Sequence, residues 1–256
     1  MSLTRIALKL AAPLPRLEAF DRYLFVGPHP DDIEIGAGAT VSRLTSLGKK
    51  VSFLICTDGR FGDGNTPLHG DDLVRQRRQE AIRSAAMLGV TDVHFLELSD
   101  GGFYTREELL TGIARVMGQV QPEVLFAPDP CVDSECHMDH LNVGQAVRNL
   151  ACFAPYDGIM AGLGAQSSRV QALAYYMTAR PNRFVSTRGH VQKQLEAIFT
   201  CHLSQFPPDS KDAGSIRLYL KLRSVDFGIR SLKGRAEGFR VLGPTQMHCL
   251  PEAGKR

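Results

Sequence analysis

Four short apolar runs, residues 23–26, 51–56, 93–98 and 124–127, recur through the first half of the chain, and longer segments of different period separate them. Runs of this length bounded by turn residues read as buried strands. Between them, residues 33–47, 71–88 and 105–120 space their apolar positions as one face of a helix. Gly48 and Gly89 provide C-terminal stops, Pro122 closes the third helix, and Thr105 with Glu108 forms the capping-box pattern that opens it. Strands alternating with helices predict an α/β fold, a mostly parallel twisted sheet wound right-handedly with helices on both faces. Residues 171–177 read as a fifth strand, and residues 192–202 and 215–232 as further helices. Residues 1–21, with a short apolar patch and two prolines, read as an N-terminal arm. No repeat or linker interrupts the remainder, so residues 1–256 are expected to form a single domain.

Composition narrows the function classes. Hydrophobic residues make up 43% of the chain and charged residues 22%, and no apolar run approaches the ~20 residues of a membrane span, which predicts a protein with no membrane partner. A net charge of +3 with scattered basic residues gives no footprint for nucleic acid. The one basic concentration, Arg75, Arg77, Arg78 and Arg83, reads mostly as a solvated helix face. Lys9 and the early prolines interrupt any secretory core, and the six cysteines lack paired Cys-x-x-Cys spacing. Reduced thiols in a cytoplasmic protein are therefore expected. Cys131 and Cys136 make only a loose zinc pattern, because structural zinc sites show two tight pairs.

Ligands of open α/β sheets bind beyond the carboxyl ends of the strands. Four polar stretches fall there: His29-Pro30-Asp31-Asp32, Thr57-Asp58-Gly59, Asp100-Gly101 and His137-Met138-Asp139-His140. Taken alone, the first stretch reads as a helix N-terminus, where carboxylates are favoured by free N–H groups and the dipole. Paired with the last, it offers the imidazole and carboxylate set suited to zinc or ferrous iron. Spacing leaves open which of His137 and His140 is the ligand. A dinucleotide-binding reading of Gly36-x-Gly38 fails because its third glycine would fall at Val41 and because two carboxylates would repel a pyrophosphate.

The ordered series resembles the LmbE-like or PIG-L-type metal-dependent N-acetylglucosaminyl deacetylases over nearly the whole chain. His29-Pro30-Asp31-Asp32 and His137-x-Asp139-His140 match the two signature motifs. Arg77-x-x-Glu80 leading to Leu88-Gly89-Val90, Lys193 followed by His202-Leu203-Ser204-Gln205, and Glu237-x-Phe239 reinforce the match. The chain departs from many relatives in carrying Glu135-Cys136-His137-Met138, where glycine, proline or an aromatic residue is usual.

The resemblance implies a Rossmann-like α/β fold and a zinc-dependent hydrolase, with iron as the alternative metal, removing the N-acetyl group of a small GlcNAc-type sugar. His29, Asp32 and His140 would bind the metal, and no other cofactor is expected. Asp31 would be the general base, and His137 the acid or oxyanion stabiliser, tuned by Asp139. Arg77 would contact substrate, and Asp100, with Asp133 and Glu135, would reach sugar hydroxyls. Glu34, His202 and Gln205 would brace the site. His69, His94, His190 and His248 read as structural or surface residues. A homo-oligomer, trimer or hexamer, is the expected assembly. The competing readings are a family amidase acting on a thiol conjugate or aminoglycoside-type substrate, and a non-catalytic Rossmann-like nucleotide-binding module.

Overall fold

The computed structural model describes residues 3–248 and 250, so Cys249 lies outside the described residues. Seven strands form the sheet in the order β3-β2-β1-β4-β5-β7-β6. The first five, β1 (Arg22–Gly27), β2 (Lys50–Thr57), β3 (Asp92–Leu98), β4 (Val124–Pro128) and β5 (Ala172–Tyr176), pair in parallel. These runs are apolar at successive positions because both faces of the sheet are covered, so beyond the exposed first residues Arg22 and Lys50 the strands β1, β2, β4 and β5 are buried throughout. Tyr23, Phe25, Phe53, Phe126 and Tyr176 pack on one face, against α2 (Asp32–Ser46), α3 (Gly70–Met87) and α7 (Val191–Cys201). Leu24, Val26, Leu54, Leu125 and Leu173 pack on the other, against α4 (Arg106–Val120) and α5 (Met138–Phe153). Phe25 and Phe126 stack across β1 and β4 with ring centroids 4.1 Å apart.

The expected sheet is present, and its far edge differs from expectation. β6 (Arg183–Ser186) and β7 (Ala236–Leu242) add an antiparallel margin, β7 pairing with both β5 and β6. Polar and small residues in these strands, Arg183, Glu237, Gly238 and Arg240, break the apolar run by which the other strands are recognised. A short α6 (Asp157–Gly162) also lacks a clear periodic signal, and α8 (Lys211–Ser231) starts earlier than its apolar pattern suggests, because Ser210 caps it. The N-terminal arm consists of α1 (Leu3–Ala11) and a 3-10 turn (Leu17–Ala19). Among the described residues no helix is long and apolar enough to cross a membrane.

From β1 the chain runs outward to β2 and β3 on one side, and to β4 and β5 on the other. The switch point of the topology is therefore the gap between β1 and β4. The loops leaving these two strands carry the two histidine motifs.

Candidate active site

The polypeptide leaving β1 is held in a conformation it would not adopt alone. Asp31 caps α2 with φ 128° and ψ −25°, a strained backbone for a residue with a Cβ, and its side chain makes no capping hydrogen bond. Neighbouring elements hold it there. Thr57 at the end of β2 donates both its N–H and its hydroxyl to the Pro28 carbonyl, at 2.9 and 2.8 Å. Arg77 on α3 donates to the Pro30 carbonyl at 2.9 Å and to Gly59 at 3.1 Å, and its guanidinium lies 3.4 Å from the Asp31 carboxylate. Gly59 has φ +73°, and a Cβ there would sit 2.6 Å from Arg77. Glycine is what lets the arginine reach the loop.

Asp32 begins α2 and turns its carboxylate back on the motif. One oxygen accepts the His29 N–H at 2.9 Å and lies 3.1 Å from His29 Nδ1 and 3.4 Å from His140 Nε2. The far side of each imidazole is committed to another carboxylate. His29 Nε2 is 3.0 Å from Asp139, and His140 Nδ1 is 2.9 Å from Glu135. A carboxylate can only accept, so these nitrogens carry protons, which leaves His29 Nδ1 and His140 Nε2, the atoms that face Asp32, as the ones a metal ion could take as donors. Two oriented imidazoles and one carboxylate, with donor atoms within 4.8 Å of one another, fit a divalent metal ion.

A second group, His29, His137 and Asp139, is equally close. It fits a metal less well, because Asp139 already accepts from His29, the Gly101 and Gly102 amides at 2.7 and 2.8 Å, and the Tyr104 hydroxyl at 2.9 Å. These donors outweigh burial and hold its pKa down at about 2.

Electrostatics concentrate positive charge where the first group converges. Burial opposes protonation of His29, yet the hydrogen bonds it donates to the Asp139 and Asp32 carboxylates raise its pKa to about 10, and Asp32 likewise raises buried His140 to about 9, so each ring would give up a proton on binding a metal ion there. Burial pushes Asp32 upward, but the two histidines hold it well below the carboxylate range. Asp31 differs from its neighbour. Burial raises it to about 6 against the opposing pull of Arg77.

His137 caps α5, and its Nδ1 accepts the Asp139 N–H at 3.3 Å. That bond leaves the ring proton on Nε2. Burial and the neighbouring imidazoles lower its pKa, and a helix N-terminus also disfavours a cation. The ring is about half exposed beside His29, with centroids 4.6 Å apart.

Several residues have tasks other than those the sequence suggests. Asp139 touches His29 rather than His137, from which its carboxylate is 3.9 Å away. Arg77 is buried among loop carbonyls and Asp31, so it braces the Asp31 loop and offers nothing to solvent. Asp100 accepts the Phe61 N–H at 3.2 Å and ties the loop after β2 to the loop after β3. Glu135 orients His140, while Asp133 is exposed. Tyr104, which the sequence does not single out, supports Asp139. Glu34 pairs with His202 at 3.1 Å in full burial, Ser204 donates its hydroxyl to buried Glu80 at 2.6 Å, and Gln205 donates to the Gly62 carbonyl at 2.7 Å. Cys131 and Cys136 are exposed and belong to neither metal-like group. Gly36 and Gly38 are packing positions, since a Cβ at each would meet the Tyr176 ring at 2.3 Å or Gln194 at 2.9 Å. They form no phosphate-binding turn.

Fold and site together define an α/β protein with a candidate metal centre at the switch point of its sheet. The sequence profile of the PIG-L family, described as GlcNAc-PI de-N-acetylase, matches residues 24–151, and the chain belongs to that family. This places it among the N-deacetylases, hydrolases of an amide C–N bond. It is 33% identical to a diacetylchitobiose deacetylase of Thermococcus kodakarensis, over 91% of this chain and 87% of that enzyme. A 1D-myo-inositol 2-acetamido-2-deoxy-alpha-D-glucopyranoside deacetylase of Kineococcus radiotolerans is 30% identical over 67% of this chain and 55% of its own length. Among solved structures, the N,N'-diacetylchitobiose deacetylase of Pyrococcus horikoshii, in complex with an inhibitor, superposes with a TM-score of 0.83. It is 28% identical, and 98% of this chain and 97% of that one are covered.

Proposed function

We propose that the protein is a zinc-dependent N-deacetylase that releases acetate from a GlcNAc-type sugar. The observation that carries this reading is the convergence of His29, Asp32 and His140 beside an unligated, buried Asp31. The relatives named for deacetylation of acetylated glucosamine derivatives support the substrate class.

A zinc ion held by His29, Asp32 and His140 would supply Lewis acidity toward water and the amide carbonyl. Asp31 takes the proton from the attacking water as its oxygen bonds to the carbonyl carbon. With a pKa near 6 it is ionised at neutral pH and remains basic enough for the transfer. His137 donates through Nε2 to the oxygen of the tetrahedral intermediate as a neutral hydrogen-bond donor, its Nδ1 being engaged by the Asp139 amide. Asp31 then returns its proton to the nitrogen as the C–N bond breaks, giving acetate and a free amine. Arg77 keeps the Asp31 carboxylate in place through the cycle.

Acetate release from N-acetylated glucosamine derivatives tests the reading. The metal-replete protein is expected to turn over at least one of them, and the metal-stripped protein and Asp31→Ala to lose that activity. Equal release by all three preparations, or none from the replete protein, would overturn it.

A further inference from the structure

A sheet leaves backbone groups unpaired at its margin, and β6 forms one margin here, bonded to β7 alone. In an antiparallel ladder alternate residues turn their N–H and C=O groups away from the partner strand. Thr187, directly after β6, donates its N–H to the Arg235 carbonyl at 3.0 Å, in register with the β6–β7 pairs. Arg183 and Val185 therefore bond to β7, while Phe184 and Ser186 present their backbone groups outward. Between β1, where the first histidine motif begins, and this edge stand β4, β5 and β7, so the edge lies apart from the candidate active site.

That open edge borders a cavity of about 770 Å³. Strand alternation sends the Arg183 and Val185 side chains to one face of the sheet and Phe184 to the other. Arg183 reaches the N-terminal arm and donates to the Leu14 and Pro15 carbonyls at 2.7 and 3.3 Å, which sets Arg16 and Leu17 against the cavity on that face. On the opposite face the Phe184 ring meets Phe227 of α8 edge to face with centroids 5.6 Å apart, and Lys233, two residues beyond α8, completes the wall.

The charge here has one sign. Among the described residues that line the cavity, Glu18 holds the one carboxylate, and Arg43 takes it at 2.5 Å. Arg183 donates to three carbonyls, which are neutral, and burial and the neighbouring Arg16 guanidinium lower its pKa, as happens when cations are held close without a counter-ion. Cations that merely guard an edge against aggregation project from the edge strand itself, whereas Arg16 and Lys233 stand back on flanking elements. A second copy of this chain would bring like charges together across the edge, and a small anion would leave the outward backbone groups and Phe184 unused. We infer that this edge receives an acidic segment of a partner protein, which adds in extended form as a further strand beside β6. Its backbone pairs with Phe184 and Ser186, about 4.8 Å from β6. Its acidic side chains meet Arg16 and Arg183 on one face, and the residues between them lie on Phe184 on the other. The inference is independent of the deacetylase reading.

Fluorescence anisotropy of a labelled, end-capped Glu-Val-Glu-Val-Glu-Val peptide on the full chain tests the edge. The native protein is expected to bind it at least about tenfold tighter than the matching Lys-Val peptide. In the added strand the valines lie opposite Phe184, so their amides make the bonds to β6. N-methylation of the valine amides is therefore expected to weaken binding at least about tenfold, and N-methylation of the glutamate amides, which face away, by less than about threefold. Arg16 and Lys233 are exposed, so Arg16→Glu/Lys233→Glu leaves the fold intact and is expected to turn the preference toward the lysine peptide. No binding of the acidic peptide, equal binding of both peptides, equal effects of the two methylations, or an unchanged preference in the double variant overturns the inference. Self-association in sedimentation equilibrium that the acidic peptide blocks would give the edge to a second copy and overturn it as well.

Discussion

His29 and His140 each present one nitrogen to Asp32 and fix the other on a carboxylate, and the two carboxylates come from different places. Asp139 lies in the first turn of α5, whereas Glu135 lies in the loop before it and also accepts the His137 N–H at 2.8 Å. Removing the acceptor on the far side of a metal-binding imidazole typically weakens metal binding by about 10- to 100-fold. Glu135→Gln is therefore expected to bind zinc more weakly by that factor with unchanged stoichiometry, read by competition against a chelator. Unchanged affinity would mean that Glu135 serves only the loop. His137→Ala should lower kcat by about 100- to 1000-fold with KM little altered, because in the proposed mechanism its hydrogen bond is made to charge that develops in the transition state. A KM effect of the same size would instead place His137 in ground-state binding. The donor types and their positions after β1 and β4 were legible in the sequence, because side chains at strand ends must converge on the switch point. Their pairings were not. Asp139 neighbours His137 in sequence, but α5 begins at Met138, and its first turn brings the carboxylate to His29 and the Gly101 amide.

At the scale of elements, the site depends on α2 being held at its strained start and packed closely along its length. Arg77 belongs to a basic stretch that reads as a solvated face, yet helical rotation turns it inward while Arg75 and Arg78 remain outside. Its side chain is 4% exposed, and it bridges the loops after β1 and β2. Arg77→Met leaves Asp31 buried without its cationic partner, for which a loss of about 3–5 kcal/mol is typical. Denaturant unfolding should show that loss, and a change under 1 kcal/mol would mean that the loop holds itself. Gly36→Ala drives a methyl into the Tyr176 ring, an overpacking expected to cost about 1–3 kcal/mol in the same measurement. The central strands were readable because burial on both faces forces a continuous apolar run. β7 was not, because its register places Arg240 beside Asp129, at 2.8 Å, and sets Glu237 against α2. Each polar residue finds its partner only in the folded chain.

Across the whole molecule, Glu237 links the last strand to the helix that begins at Asp32, one of the proposed metal ligands. Its carboxyl oxygens accept from the Thr40 N–H at 2.7 Å and from Gln194 at 3.0 Å, while Gln194 donates to the Glu34 carbonyl at 2.8 Å. β7, α7 and α2 are thereby joined through one carboxyl group. Packing around it raises its pKa from 4.5 to about 7, in spite of the Thr40 and Ala39 donors. The folded chain thus holds this proton more tightly than the unfolded chain does. Between pH 4.5 and about 7 the unfolded state has released the proton and the folded state has not, so stability falls as pH rises through that window. Below the window both states are protonated and the full stability is present; above it both are ionised and this contribution is constant. Because the residue keeps part of its surface in water, a change on the order of 2 kcal/mol is expected, less than the shift alone would give. Other groups titrate in the same range, so the measurement is a difference: unfolding free energy of the native chain minus that of Glu237→Gln, across the window. The amide cannot ionise but keeps an acceptor for Thr40, so the difference should fall with rising pH and level off above about 7. A flat difference would mean that Glu237 is ionised in the fold, and that the donors on α2 and α7 dominate its packing.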